Sequence, residues 1–255
     1  MSMNLKIKQN LLMILAMPFL SGCFGSSITY PTRSDGPPII NRVDLTKLPN
    51  PVVRREPKSK IGNKSPYKVF GKSYRVMESG SGYKATGIAS WYGRKFHGRK
   101  TSNGETFDMF KLTAAHRSLP LPIYLRVTNL DNGRSTIVRV NDRGPFHGNR
   151  LIDLSYAGAV KLGFAEEGTA RVRLQVLEKG TVYYLQVGAF RDKKSAQSLK
   201  KRVQGLTRLQ GRVVSGSGDR LYRVHLGPIA RYDDAISFQE LLMSSNYSKP
   251  LILDY

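Results

Sequence analysis

The chain has 255 residues, with 41 Lys+Arg against 18 Asp+Glu, a formal net charge of +23, and 40% of its residues are hydrophobic. That length supports one to two domains with buried cores, and the basic balance suits anionic or polar polymers such as nucleic acid, a membrane surface or wall glycan. A single continuous apolar run excludes a polytopic membrane protein, and a single cysteine excludes a disulfide scaffold or a cysteine-based zinc site. The charge is spread, with a net +7 in each of residues 24–80, 81–178 and 179–255. A nucleic-acid binder concentrates its basic residues on one element; the spread charge decides little by itself, and it is the export signal at the N-terminus that sets a nucleic-acid partner aside.

Lys6 and Lys8 precede an apolar stretch from Leu11 to Leu20, which is followed by Ser21, Gly22 and Cys23. A positive start, an apolar run too short for a bilayer and small residues before a cleavage point describe a secretory signal over residues 1–22. The tetrad Leu20-Ser21-Gly22-Cys23 resembles the bacterial lipobox. The resemblance implies a lipidated Cys23 as the first mature residue, and Phe24 in place of aspartate implies the outer membrane. Lipid chains would anchor the protein by burying methylenes, with the rest facing the periplasm. Residues 23–66 hold seven of the 13 prolines among Ser, Asn, Lys and Arg, without a sustained apolar period. They are expected to form a disordered tether.

From Tyr67 the texture changes. Residues 87–92, 123–128, 136–140 and 171–177 read as short strands, and Asn132-Gly133 signals a two-residue hairpin between the second and third. One helix is predicted over 156–162, with Asp153 or Ser155 as its cap and Gly163 as its stop. Many short strands and little helix predict a small closed barrel within residues 67–178.

Four blocks carry a family resemblance: Gly87-Ile88-Ala89-Ser90-Trp91-Tyr92-Gly93, Thr101-Ser102-Asn103-Gly104-Glu105, Leu112-Thr113-Ala114-Ala115-His116 and Val140-Asn141-Asp142-Arg143-Gly144-Pro145. In this order they resemble the rare lipoprotein A family of septal-ring lytic transglycosylases, which implies a double-psi β-barrel over about 83–178. The chemistry follows from the bond to be cut. Glycosidic cleavage needs a carboxylic acid to protonate the leaving oxygen. A lytic transglycosylase needs no activated water, because the muramic acid 6-hydroxyl attacks its own anomeric carbon. Asp131 reads as a turn residue, Asp153 as a helix cap and Glu166-Glu167 as an exposed pair. Asp142, after an alternating strand, reads equally as a turn aspartate paired with Arg143 or as a catalytic group. The resemblance implies that Asp142 and Glu105 are the catalytic carboxylates and that His116 is a partner of the substrate or of a carboxylate. Tyr92 reads as barrel core or as a platform for sugar stacking, and Tyr92 and Arg143 are expected to bind the substrate. Trp91 reads as barrel core. No G-x-S-x-G elbow or H-E-x-x-H is present, and His97 and His116 lack ligand spacing, so no metal and no cofactor are expected.

Residues 181–255 contain a duplication. An offset of 39 sets Tyr183 on Tyr222, Gly188 on Gly227, Ala196 on Ala235 and Val203 on Leu242. Each half reads strand, helix, strand, and together they give a ferredoxin-like βαββαβ module. Tyr184-Leu185-Gln186-Val187-Gly188-Ala189-Phe190 resembles the sporulation-related repeat (SPOR) domain. That implies binding, through Gln186 among others, to peptidoglycan glycan stripped of stem peptides at the division septum, and a functional link to cell-wall amidases. The expected fold class is mainly β plus α+β. The expected function is lytic cleavage of glycan to 1,6-anhydro-muramic ends. The alternative is a non-catalytic, expansin-like wall-binding lipoprotein, which shares the barrel.

Overall fold

The computed structural model describes residues 35–39, 43–178, 180–216 and 218–255. The signal segment, Cys23 and the tether as far as residue 34 lie outside the described residues. A hairpin of β1 (Tyr67–Val69) and β2 (Lys72–Tyr74) precedes six strands: β3 (Lys84–Tyr92), β4 (Thr113–Ala115), β5 (Ile123–Asn129), β6 (Ser135–Asp142), β7 (Arg150–Ser155) and β8 (Thr169–Leu177). They close into a barrel in the order β3-β7-β4-β6-β5-β8. The β3–β7 and β4–β6 pairings are parallel and the other four antiparallel, so short β4 is wedged between β6 and β7. Side chains alternate across a strand, and this period sends Leu125, Val127, Val138, Val140, Ile152, Leu154, Val172 and Leu174 into one core.

The helix forms where expected, as α1 (Tyr156–Leu162), capped by Ser155 Oγ, which accepts from Gly158 N. Gly163 ends it in the left-handed region at φ 68°, a conformation that disfavours any Cβ. Asp153 is not the cap. It lies within β7, where its carboxylate accepts from Ser90 and Arg150. Asn132-Gly133 is not a two-residue turn either: Thr128 and Ser135 are the last ladder pair, and Asn129 N donates to Arg134 O. The loop is longer because it caps the helix, with the side-chain amides of Asn129 and Asn132 both donating to Leu162 O.

The C-terminal module runs β9 (Tyr183–Phe190), α2 (Lys193–Thr207), β10 (Gly211–Ser215), β11 (Tyr222–Ile229), α3 (Tyr232–Ser244) and β12 (Leu251–Asp254). Its four strands pair antiparallel in the order β10-β11-β9-β12. The two helices cover one face, burying Ala196, Leu199, Val203, Ala235 and Leu242 against Leu185, Val224 and Leu226. This core is shared. Tyr124, Ile137 and Leu177 of the barrel pack into it, and Arg126 binds Asp254 at 2.9 Å while Gln175 Nε2 donates to the same carboxylate at 2.7 Å.

Residues 43–66 are a strap along the barrel, where the composition pointed to part of an unpacked tether. Leu45, on a 3₁₀ turn (Leu45–Lys47), is 2% exposed and belongs to the barrel core. Asn50 Oδ1 accepts from Thr136 Oγ1 and Ile137 N, while its own amide groups donate to Asp233 of α3. Further along, Ser59 N donates to Leu121 O and Asn63 Oδ1 accepts from Leu121 N. Isolated anchors that satisfy barrel polar groups leave no periodic apolar signature, and for that reason the composition reads as disorder.

Candidate active site

Alternation along β6 puts Arg139 and Asn141 on one side, with Asp142 at the strand end. The loop over residues 101–105 closes beside them. Thr101 N donates to Glu105 O, Gly104 N donates to Thr101 O, and Gly104 takes φ 88°, where a side chain would be strained. This tight turn aims two residues at β6. Ser102 donates to Asp142 Oδ1 through both its backbone N (2.8 Å) and its hydroxyl (2.6 Å), and Arg143 N adds a third bond at 2.7 Å. No hydrogen bond among the described residues falls on Asp142 Oδ2.

Glu105 is gripped differently. Arg139 Nη1 donates to both of its oxygens (2.9 and 2.8 Å), Asn141 Nδ2 donates to Oε2 (2.8 Å) and Asn103 Nδ2 to Oε1 (2.8 Å). Burial pushes the carboxyl up, but the bonds from Asn141, Arg139 and Asn103 outweigh it and hold Glu105 below the usual carboxylate range. Glu105 therefore stays ionised. It faces a cavity of about 550 Å³ lined by Leu48, Pro51, Arg54, Glu56, Lys111 and Arg139 among others. Ser102, Arg139 and Asn141 carry no catalytic signature of their own in the sequence. A lone arginine in the apolar run Ile137-Val138-Arg139-Val140 was the available signal, since an inward or cleft-facing charge needs a partner.

The structure brings Asp142 and Glu105 together through Asn141 and the Ser102 turn, but not the ring of His116. That residue joins only by its backbone, whose N donates to Asp142 O at 3.0 Å. Its ring is 4% exposed, Nδ1 accepts from Ser118 N and Leu119 N, and Nε2 meets the Tyr83 hydroxyl at 3.1 Å. With Nδ1 an acceptor, the proton resides on Nε2. Burial, assisted by Arg117 and Arg143, lowers the pKa to about 4, so the ring is neutral. Arg143 is buried too. Its guanidinium donates to Gly62 O, His116 O, Leu119 O and Asn63 Oδ1, all groups of its own chain. Tyr92 is 8% exposed and stacks on Phe107 with ring centroids 4.2 Å apart. The His116 ring, the Arg143 guanidinium and Tyr92 are thus buried beside the carboxylates' segments and bonded or stacked within the protein. Trp91 packs against the barrel core and donates its indole N–H to Ala165 O. Among the described residues no group of three or more His, Cys, Asp or Glu side chains could hold a metal ion.

A family model described as a lytic transglycolase matches residues 84–174, and one described as a SPOR domain matches residues 179–253. The Vibrio cholerae protein named endolytic peptidoglycan transglycosylase RlpA is 39% identical, over 94% of this chain and 95% of its own. Its Pseudomonas aeruginosa namesake is 34% identical, over 94% of each. The chain belongs to the RlpA family. The crystal structure of the RlpA SPOR domain from Pseudomonas aeruginosa, 33% identical, aligns with 28% of this chain and 96% of its own at a TM-score of 0.27. The barrel with two parallel pairings is the double-psi fold expected of the family, and the βαββαβ module is its SPOR domain.

Gln186 lies in the SPOR module, away from the carboxylates in sequence and fold. Register places Arg212, His225 and Gln186 in one row across β10, β11 and β9, on the sheet face opposite the helices. Gln186 Oε1 and His225 Nε2 are 3.3 Å apart. Beside them the Arg212 guanidinium lies 4.2 Å from the Tyr184 ring centroid, and Tyr255 meets Tyr184 edge-on at 5.3 Å. An amide, a guanidinium and aromatic rings on one open face offer hydrogen bonds to hydroxyls and stacking for sugar rings.

Proposed function

We propose that the protein is an endolytic peptidoglycan lytic transglycosylase in which Asp142 is the proton donor. The observation that carries this is the contrast between the two carboxylates. Glu105 is tied by three side chains and ionised, and cannot donate. Asp142 keeps Oδ2 free of hydrogen bonds among the described residues, so that oxygen is open to the glycosidic oxygen of a bound strand. Asp142 passes its proton to the glycosidic oxygen as the bond to the muramic acid anomeric carbon breaks. Ionised Glu105 stabilises the oxocarbenium charge. The muramic acid 6-hydroxyl then bonds to the anomeric carbon, and its proton returns to Asp142, so no water is consumed. One residue acts as acid and then as base.

The preferred strand is stem-peptide-free. Removing the peptide exposes the lactyl carboxylate of each muramic acid, making the glycan a polyanion that suits a chain of net charge +23. The SPOR module, by the face that carries Gln186, holds such strands at the septum, where amidases produce them. Cys23 carries the lipid that anchors the protein at the outer membrane, a reading supported by Leu20-Ser21-Gly22-Cys23.

Asp142→Asn and Glu105→Gln test the assignment on stem-peptide-free glycan. Asp142→Asn is expected to slow formation of anhydro ends by roughly 10²–10⁴-fold, the usual worth of general acid–base catalysis, with glycan binding retained. Near-normal rates in Asp142→Asn, with Glu105→Gln inactive, would reassign the acid.

A further inference from the structure

Arg139 does not belong to Glu105 alone. Its Nε and Nη2 edge is fully used by Glu56 of the strap, with Nε donating to Oε1 at 2.9 Å and Nη2 to Oε2 at 2.7 Å. Only Nη1 remains for Glu105. This is the side-on bidentate pairing that fixes a guanidinium plane most firmly. Glu56 is itself oriented, because the Tyr124 hydroxyl donates to its Oε1. The side chains of Glu56 and Arg139 are 23% and 19% exposed, against 42% for Glu105, so the fork is the sheltered side of the network. Arg54 and Glu56 also line both the cavity beside Glu105 and a second of about 770 Å³, so the strap passes between them.

We infer that Glu56, on a segment ahead of the catalytic barrel, is a positioning residue of the active site: it locks Arg139 in the orientation that presents Nη1 to Glu105 and takes up part of the arginine charge. The inference rests on the reading of Glu105 as an active-site group. The charged and titratable groups facing this network are Arg54 and Glu56 from the strap, Tyr124 from β5, Arg139 from β6, and Glu105 and Lys111 from the loops of the cavity wall. The bond from Arg139 dominates Glu56 and holds its carboxyl below the usual range.

Without the Glu56 charge, Arg139 acts undivided on Glu105, which then takes a proton only at lower pH. In the full-length chain, Glu56→Gln is expected to lower kcat on stem-peptide-free glycan roughly tenfold with KM nearly unchanged, since a small misplacement at the reacting centre is enough for such a loss. The acid limb of its pH–rate profile is expected to move to lower pH. Glu56→Asp keeps the charge but cannot reach the fork, so kcat falls while the limb stays. Tyr124→Phe, which leaves every charge in place, is expected to lower kcat without moving the limb and serves if Glu56→Gln does not fold. A Glu56→Gln enzyme with wild-type kcat and acid limb, or a Tyr124→Phe enzyme with wild-type kcat where Glu56→Gln is unfolded, overturns the inference. Full activity in Glu105→Gln would instead overturn the reading on which it rests.

Discussion

The barrel site and the open sheet of the SPOR module treat polar groups in opposite ways. In the barrel, Asp142 Oδ1 accepts three hydrogen bonds, Glu105 is held by Arg139, Asn141 and Asn103, and His116 and Arg143 are buried. On the sheet, Arg212, Tyr184 and Tyr255 touch one another mainly through ring faces and edges. The difference matches two tasks. Bond cleavage needs charges fixed before the substrate arrives, so that none must reorganise during the reaction. Holding a repetitive polymer needs rings and flexible donors that accept many registers. The strap and the shared core join the two regions, with Asn50 bonded to both β6 and Asp233, and Ile137 of the barrel buried among SPOR side chains.

That joint is the place to break the comparison most forcefully. Ile137→Ala removes a side chain 2% exposed between the modules and is expected to destabilise the protein by about 2–5 kcal/mol. Calorimetry is expected to resolve two transitions in the variant and one in the parent, whose modules share a core. A second test concerns the rigid region alone. His116 has a folded pKa of about 4 against 6.5 when exposed, so between those values the unfolded chain binds the extra proton. Stability is therefore lost as pH falls from about 6.5 to 4, by up to about 3 kcal/mol. Urea titrations of His116→Asn should show that part of the slope removed. The smallest effect belongs to the open face. Arg212→Ala is expected to weaken binding of stem-peptide-free glycan only about two- to fivefold, in line with an exposed cation–π contact of about 0.5–1 kcal/mol, and to leave cleavage of short glycans unchanged. Equilibrium binding and turnover measured on one preparation check both parts.

The legible parts of the sequence were those with a local period or a cap. The alternating runs of β5, β6 and β8, helix α1 with Ser155 and Gly163, and the 39-residue duplication all appear where the pattern put them. The family motifs single out Asp142 and Glu105, which Asn141 and the Ser102 turn link. The strap was not legible, because Leu45, Asn50, Glu56 and Asn63 are spaced without period, and the polar anchors bond to residues from 58 positions away (Asn63 and Leu121) to 183 (Asn50 and Asp233). The motif marks His116 as a partner of the substrate or of a carboxylate but leaves the direction of its ring open. The ring meets Tyr83, because two backbone N–H groups claim Nδ1. Sequence motifs carry residue types, whereas the direction of a side chain is set by which unpaired donors lie within reach.

The central claim is that this fold cuts glycan without water. Full-length protein incubated with stem-peptide-free glycan in H₂¹⁸O, with the products resolved by mass spectrometry, tests it most directly. The account predicts 1,6-anhydro-muramic ends that carry no ¹⁸O and are greatly reduced with Asp142→Asn. Labelled reducing ends would make the protein a hydrolase, and intact strands retained on the protein would leave only the wall-binding reading.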